Sequence, residues 1–418
     1  MNLLTIITIL IAISAGFSFI NERFLKLPST IGVVLISVVV SLLLLITGKG
    51  STSLSASIST MAHAINFSNV LLNVMLGFLL FASALHFDYN DLKAQRLPVL
   101  LLSTLGVLLS ASIFGALFYG ITRLLHLSMP PIYCLIFGAL ISPTDPIAVG
   151  AILKKSKIPP RLHTIISGES LFNDGLGLVL FVVLLDVINP MTPDPSLRSV
   201  LALFAQEVLG GIGIGLVMGY IGFRMMRASN GFQTVMLISI ALVLGISVVA
   251  AQLHASIPLS AVTAGLIIGN RRLDRNKSGN RFLGRVWQLI DDLLNTILFV
   301  MIGLQLVVLP FVNNYWLAGL LSILAILIAR LISVSLPAIF LLRRVSAGNL
   351  SILTWAGLRG GISIAMALSL PPLAHKELIL AACYFIVIFS IIVQGLTLNK
   401  VVALAARNQP AEKSGTAT

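Results

Sequence analysis

Three stretches of this chain set carboxylates and small polar side chains among helix-breaking residues in apolar surroundings. Ala139-Leu-Ile-Ser-Pro-Thr-Asp-Pro-Ile-Ala-Val149 places Asp145 between Pro143 and Pro146. Each proline removes a backbone donor and clashes with the preceding turn, so a helix here is interrupted around Thr144 and Asp145. Ser167-Gly-Glu-Ser-Leu-Phe-Asn-Asp-Gly175 carries Glu169, Ser170, Asn173 and Asp174. On a helix, Ser170 and Asp174 share one face and Glu169 and Asn173 share another, because residues four apart are neighbours. Trp355-Ala-Gly-Leu-Arg-Gly-Gly-Ile-Ser363 sets Arg359 beside Gly360 and Gly361, which weaken a helix at its middle. An unpaired carboxylate in apolar surroundings takes up either a proton or a cation, since desolvation penalises the bare charge. Competition of those two partners for one group is the physical basis of exchange. The plainer readings are a packing kink at the prolines and a structural hydrogen-bond network around Glu169 and Asn173; neither accounts well for Asp145 or Asp174.

The elements that must position these residues are membrane helices. Hydrophobic residues make up 57% of the 418 and charged residues 10%, and mean hydropathy is +1.04. A soluble exterior needs more charge than this. A spanning helix takes about 20 apolar residues. Thirteen such segments are predicted, near 3–20, 29–47, 68–87, 97–121, 130–153, 162–188, 200–222, 233–251, 256–270, 290–309, 315–342, 350–371 and 377–399. The fold class expected is an all-α polytopic membrane protein, one integral domain over 1–403 with a short cytoplasmic tail at 404–418. The first segment has no basic region before it, so it reads as a retained helix rather than a signal peptide.

The 27 Lys and Arg outnumber the 14 Asp and Glu, a net charge of +13. Spread over a soluble surface, that balance would suggest nucleic acid. Here 21 of the 27 fall in loops after odd-numbered segments or in the tail, four fall on the other side, and Arg330 and Arg359 lie inside helices. Lys154, Lys155, Lys157 and Arg161 share one loop; Arg271, Arg272, Arg275, Lys277, Arg281 and Arg285 share another. The asymmetry puts the N-terminus outside and the C-terminus in the cytoplasm, and it removes the nucleic-acid reading.

With that topology, Asp174 lies ~18 Å from the cytoplasmic end of its helix and Arg359 ~13 Å from the end of its own. Ionisable groups at such depth mark a pathway or a site, and the guanidinium is expected to face the carboxylates. The fifth and twelfth segments run in opposite directions, and two interrupted, antiparallel segments point to an inverted-repeat transporter with a midplane site. Arg330 is expected to hold a carbonyl or a carboxylate. Gly211, Gly215 and Gly219 form a small-residue packing face. Asp291 and Asp292 are expected to open the tenth helix, where its N-terminus favours acids. Cys134 and Cys383 suggest neither a disulfide nor a metal site. No phosphate-binding loop, selectivity-filter motif, nucleophile or cofactor signature occurs, which removes support for a nucleotide-driven pump, a potassium channel and an enzyme.

Ser-Pro-Thr-Asp-Pro-Ile-Ala-Val at 142–149, Gly-Glu-Ser-Leu-Phe-Asn-Asp-Gly at 168–175 and Gly-Leu-Arg-Gly-Gly-Ile-Ser at 357–363 resemble the monovalent cation:proton antiporters of the NhaP type. The resemblance covers essentially the whole chain. It implies a thirteen-helix homodimer in a prokaryotic inner membrane, with a six-helix core moving elevator-fashion, and exchange of Na⁺ (or Li⁺ or K⁺) for H⁺. It implies that Asp174 binds cation and proton, with Asp145, the Thr144 carbonyl and Ser170 completing the coordination. Glu169 and Arg359 are implied to be a neighbouring ion pair that orients the site. Asn173 stands where electrogenic relatives carry a second aspartate, so the resemblance implies an electroneutral exchanger. One departure lies in the third segment. Many relatives carry an acid there that partners this asparagine, whereas Leu80-Phe-Ala-Ser-Ala-Leu85 has none before Asp88. A K⁺/H⁺ exchanger is the alternative within the family, and a gated cation channel or sensor the alternative outside it.

Overall fold

The computed structural model describes residues 3–47, 67–145, 149–150, 158–188, 196–271, 278–306, 315–341, 346–372 and 375–407. Among these there is no strand; every long element is helical. In chain order the helices are α1 (Leu3–Ile20), α2 (Ser29–Thr47), α3 (67–85), α4 (96–124), α5 (Pro131–Ile141), α6 (Pro160–Val187) and α7 (Leu197–Ala228). They continue as α8 (Phe232–Gln252), α9 (Ile257–Asn270), α10 (Ser278–Gln305), α11 (Tyr315–Leu341), α12 (Ala347–Trp355), α13 (Gly361–Ser369) and α14 (376–407). Three of these rods contain a π turn, at Leu71–Met75 in α3, Leu102–Gly106 in α4 and Ser390–Gln394 in α14.

Nine helices among the described residues are long and apolar enough to cross a membrane, and three more, at Ser29–Leu44, Pro131–Ile141 and Ile257–Asn270, are apolar but shorter. Twelve of the thirteen predicted segments fall on these helices, with differences at the ends, and the twelfth falls on the two nine-residue helices α12 and α13. α10 begins at Ser278, well before the expected 290, so its basic first turns are helical. Asp291 and Asp292 therefore lie inside that helix rather than opening it. Their stretch is fastened internally, for Asn295 Nδ2 donates to the Asp291 carbonyl at 2.8 Å.

Two predicted helices are interrupted. The fifth segment stops as α5 at Ile141, and residues 142–145 are non-helical. Val149 and Gly150 are helical again, while Pro146, expected to mark the same break, lies outside the described residues. The twelfth segment divides into α12 and α13. Its break runs through Gly357, Leu358, Arg359 and Gly360, so Gly361 is the first residue of the second half rather than part of the gap.

Packing explains where these elements settle. α9 lies against α3 and α7, α4 against α5 and α11, and α10 against α2. The largest core joins α4, α5, α11, α13 and α14. At its centre Phe137 meets Phe114 and Phe118 edge-on, with ring centroids 4.9 and 4.7 Å away. α4 and α5 approach so closely that a Cβ at Gly138 would strike the Ala111 carbonyl oxygen. α1 and α7 behave differently, leaving Leu4, Phe19, Leu209 and Val217 exposed. Such apolar faces are unfavourable in water and suit a bilayer.

Gly138→Ala is expected to lower thermal stability in detergent by an overpacking cost of about 1–3 kcal/mol. Gly120→Ala, on the open side of α4 with nothing near its Cβ, is expected to be neutral or slightly stabilising. Melting curves by fluorescence-detected gel filtration compare the two, and equal shifts would contradict the packing.

Candidate ion-binding site

The site forms where the two interruptions cross. Breaking α5 after Ile141 frees carbonyls that a continuous helix would have used, and breaking α12 after Trp355 does the same. The two gaps meet backbone to backbone. The Asp145 N–H donates to the Leu358 carbonyl oxygen at 2.7 Å. This one bond joins the centres of the fifth and twelfth segments.

Three half-helix ends at the crossing, those of α5, α12 and α13, each face a side chain of complementary charge. Arg359 Nη1 donates to the carbonyl oxygens of Ser142 and Pro143, the latter at 3.0 Å, and so closes the C-terminal end of α5. Arg330 Nη2 donates to the Leu353 carbonyl at 3.2 Å and closes the last turn of α12. Gly360 is the residue before α13, and a Cβ there would overlap the Asp145 Oδ2 atom. Only glycine lets the Asp145 carboxylate come this near, and its negative charge then rests at the N-terminal end of α13. Cations at helix C-termini and an anion at an N-terminus are the arrangement the peptide dipoles favour.

α6 supplies the remaining polar groups from a face pressed against the first break. Thr144 sits at the junction. Its hydroxyl is 2.8 Å from Ser170 Oγ and accepts from Asn173 Nδ2 at 2.7 Å. Its backbone N–H donates to Asn173 Oδ1 at 3.3 Å. Both ends of the Asn173 amide are thus engaged by Thr144, so the asparagine has its partners without an acid from α3. Next to Asn173 and one turn on from Ser170 along α6, Asp174 is 1% exposed, and its Oδ2 atom has no hydrogen-bond donor. Asp145 and Arg359 are its charged neighbours. A buried carboxylate oxygen lacking a donor, with a second carboxylate as charged neighbour and a serine hydroxyl one turn back on the same helix, is the kind of oxygen donor a hard cation takes. The same oxygen also accepts a proton.

Glu169 corrects one expectation. Its carboxylate is gripped by Arg330, not by Arg359. Arg330 Nη1 contacts Oε1, and Nη2 donates to Oε2 at 3.0 Å, a two-pronged ion pair buried on both sides. Arg359 cannot serve as this partner, because its guanidinium is drawn to the carbonyls at the end of α5. Glu169 therefore ties α6 to α11, and through Leu353 to α12. The expected carboxylate or carbonyl partner of Arg330 is both.

The structure thus brings together Thr144, Asp145, Glu169, Ser170, Asn173, Asp174 and Arg359, with Pro143 and Gly360 at the two gaps and Gly361 starting α13. Arg330, expected to hold a carbonyl or a carboxylate but not placed at the site, joins them, as do the carbonyls of Ser142, Pro143, Leu353 and Leu358, to which the residue pattern gave no role. Among the described residues no group of three or more His, Cys, Asp or Glu is placed to hold a metal ion.

Glu169→Leu is expected to cost about 3–5 kcal/mol of stability by leaving Arg330 buried and unpaired. Glu169→Leu combined with Arg330→Met should recover much of that loss. A double-mutant cycle of melting temperatures in detergent checks the coupling, and strictly additive losses would contradict it.

The comparisons with known proteins concern nearly the whole chain. The model of the transmembrane sodium/hydrogen exchanger family matches residues 6–404. The chain is 42% identical to the Na(+)/H(+) antiporter NhaP of Pseudomonas aeruginosa, over 99% of either chain. It is 30% identical to the Na(+)/H(+) antiporter NhaH of Halobacillus aidingensis, over 95% of this chain and 96% of that one. Among solved structures, the sodium proton antiporter MjNhaP1 from Methanocaldococcus jannaschii at pH 8 superposes with a TM-score of 0.78. It covers 96% of this chain and 99% of its own at 18% identity, a likeness of fold.

Proposed function

Because the chain belongs to the sodium/hydrogen exchanger family, we propose that it exchanges Na⁺ for H⁺ at the crossing of its interrupted helices, with both ions competing for Asp174. The chain is a multi-pass membrane protein of a cation:proton antiporter family. The observation that carries the finer reading is the buried Asp174 Oδ2 atom with no donor, with Asp145 as a charged neighbour and the Ser170 hydroxyl, which meets Thr144, one turn back along α6. A dehydrated monovalent cation neutralises the carboxylate and is coordinated by oxygens; in its absence a proton does the same work. Asp145 and Asp174 supply charge, and Ser170 and Thr144, hydroxyl and backbone carbonyl, supply neutral oxygens. Asn173 holds Thr144 in register and contributes no charge.

This last point supports an electroneutral cycle. Of the adjacent pair Asn173 and Asp174, only the aspartate titrates, so one cation displaces one proton. Arg359 and Glu169 orient the site, the arginine by fixing the carbonyls of the first break and the glutamate by fixing Arg330. Na⁺ is favoured because the relatives are named Na(+)/H(+) antiporters; Li⁺ and K⁺ are tested alongside it. The distribution of Lys and Arg supports an N-terminus outside and a C-terminus in the cytoplasm of a prokaryotic inner membrane. The exposed apolar faces of α1 and α7 suit lipid and a second copy in a homodimer. The reading also treats 1–403 as one transporter domain and 404–418 as its tail.

Asp174→Ala is expected to abolish Na⁺-driven proton movement in proteoliposomes holding a pH-sensitive dye, while the protein still inserts; retained activity would end the assignment. In the wild type, lowering pH should raise the apparent KM for Na⁺, approaching tenfold per pH unit on the acid side of the carboxyl titration. The sign follows from protonation of the group the cation needs. A KM that ignores pH would refute competition at one carboxylate. Transport current matching the flux under voltage clamp would overturn electroneutrality.

A further inference from the structure

The backbone of the second interruption is held from behind by α14. The Arg359 N–H donates to Ser390 Oγ at 2.8 Å. The Ser390 hydroxyl donates in turn to Gln394 Oε1 at 2.6 Å. Gln394 Nε2 reaches the Trp355 carbonyl at 3.5 Å, and the Trp355 indole N–H donates to Thr397 Oγ1 at 2.9 Å. The direction of this chain is set by its ends, since an amide N–H only donates and a carbonyl oxygen only accepts. It spans the gap from the last residue of α12 to Arg359. Ser390 and Gln394 are buried, at 0% and 4% exposure, so water offers no substitute partner.

The two residues lie at the ends of the π turn Ser390–Gln394. A π turn inserts one extra residue into a helix and recurs at functional sites. Here it holds Gln394 over Ser390 while the helix stays buried before it, at Tyr384 and Val387, and after it, at Leu398 and Val402. In the sequence the pair is a lone polar Ser…Gln at four-residue spacing within Phe389-Ser-Ile-Ile-Val-Gln394.

We propose that Ser390 and Gln394 are positioning residues for cation binding: they fix the backbone of Arg359 so that its guanidinium holds the Ser142 and Pro143 carbonyls beside Asp145. Neither residue touches the ion. They act through Arg359, and the chain of contacts runs from α14 through the second break to the first. The inference rests on the exchange reading for its functional effect, but the clasp itself has a readout of its own.

The test uses the full-length protein. In proteoliposomes, Ser390→Ala is expected to raise the KM for Na⁺ about tenfold, the scale of leaving one buried donor unpaired, with Vmax within about twofold. Ser390→Thr, which keeps the hydroxyl, should restore the wild-type KM, and Gln394→Met should shift KM in the same direction as Ser390→Ala. In parallel, hydrogen exchange in detergent over residues 356–360 should quicken about tenfold in Ser390→Ala, because the Arg359 amide loses its acceptor. A fall in Vmax or yield at unchanged KM would reduce Ser390 to packing and overturn the proposal, as would unchanged exchange. If Ser390→Ala does not fold, Ser390→Thr and Gln394→Met carry the same comparison. If the wild type itself shows no Na⁺-driven flux, the exchange reading fails, and the exchange rates of 356–360 still decide the clasp.

Discussion

Everything at the centre of this protein depends on two gaps in helices meeting inside an apolar medium. A helix break in a bilayer is tolerated only if each liberated backbone group finds a partner. Here the Asp145 N–H takes the Leu358 carbonyl, Arg359 takes the last carbonyls of α5, and Arg330 takes one from α12. Asp145 lies at the start of α13, where no Cβ intervenes. The charges and the breaks are therefore one arrangement. Without the arginines the free carbonyls would be orphaned, and without the free carbonyls Arg359 would have no neutral acceptors to hold it clear of the acids.

Of the side chains that α6 brings to the crossing, one acid keeps capacity to spare. Glu169 is saturated by the fork of Arg330, and Asn173 by Thr144. Asp174, next to Asn173 on the same helix, keeps an oxygen without a donor. The surrounding network thus does two things. It sets rigid oxygens at a fixed place, and it prevents neighbouring polar groups from turning to quench the acid they surround. On the proposed reading, a site so constrained answers to small mobile ions, which supply what the protein withholds.

Much of this was legible from residue types. Pro143 announces a break, carboxylates in apolar runs announce a site, and Gly360 beside Arg359 announces the second gap. These signals are local and each residue carries its own physics. The partner of Glu169 was not legible, because two buried arginines were available and spacing along separate helices does not say which guanidinium reaches which acid. Arg359 is committed by carbonyls that exist only once α5 is broken, a fact of the tertiary structure. The start of α10 was also missed. Its first turns are polar and basic, and apolar runs trace the part of a helix inside the bilayer rather than its full length. Asp291 and Asp292 were misplaced for the same reason.

The Arg359 contact to the end of α5 joins positions 217 residues apart in the chain, and the Glu169–Arg330 pair joins positions 161 apart. At about 5–20 residues per second of synthesis, the first break waits roughly 10–40 s for its arginine. Through that interval the nascent N-terminal half holds Asp145, Glu169 and Asp174 in or near lipid without their final counter-charges. Those carboxylates must pass the time protonated, at the water interface, or sheltered by the insertion machinery. A chain stopped before Arg330 would keep them in that condition permanently.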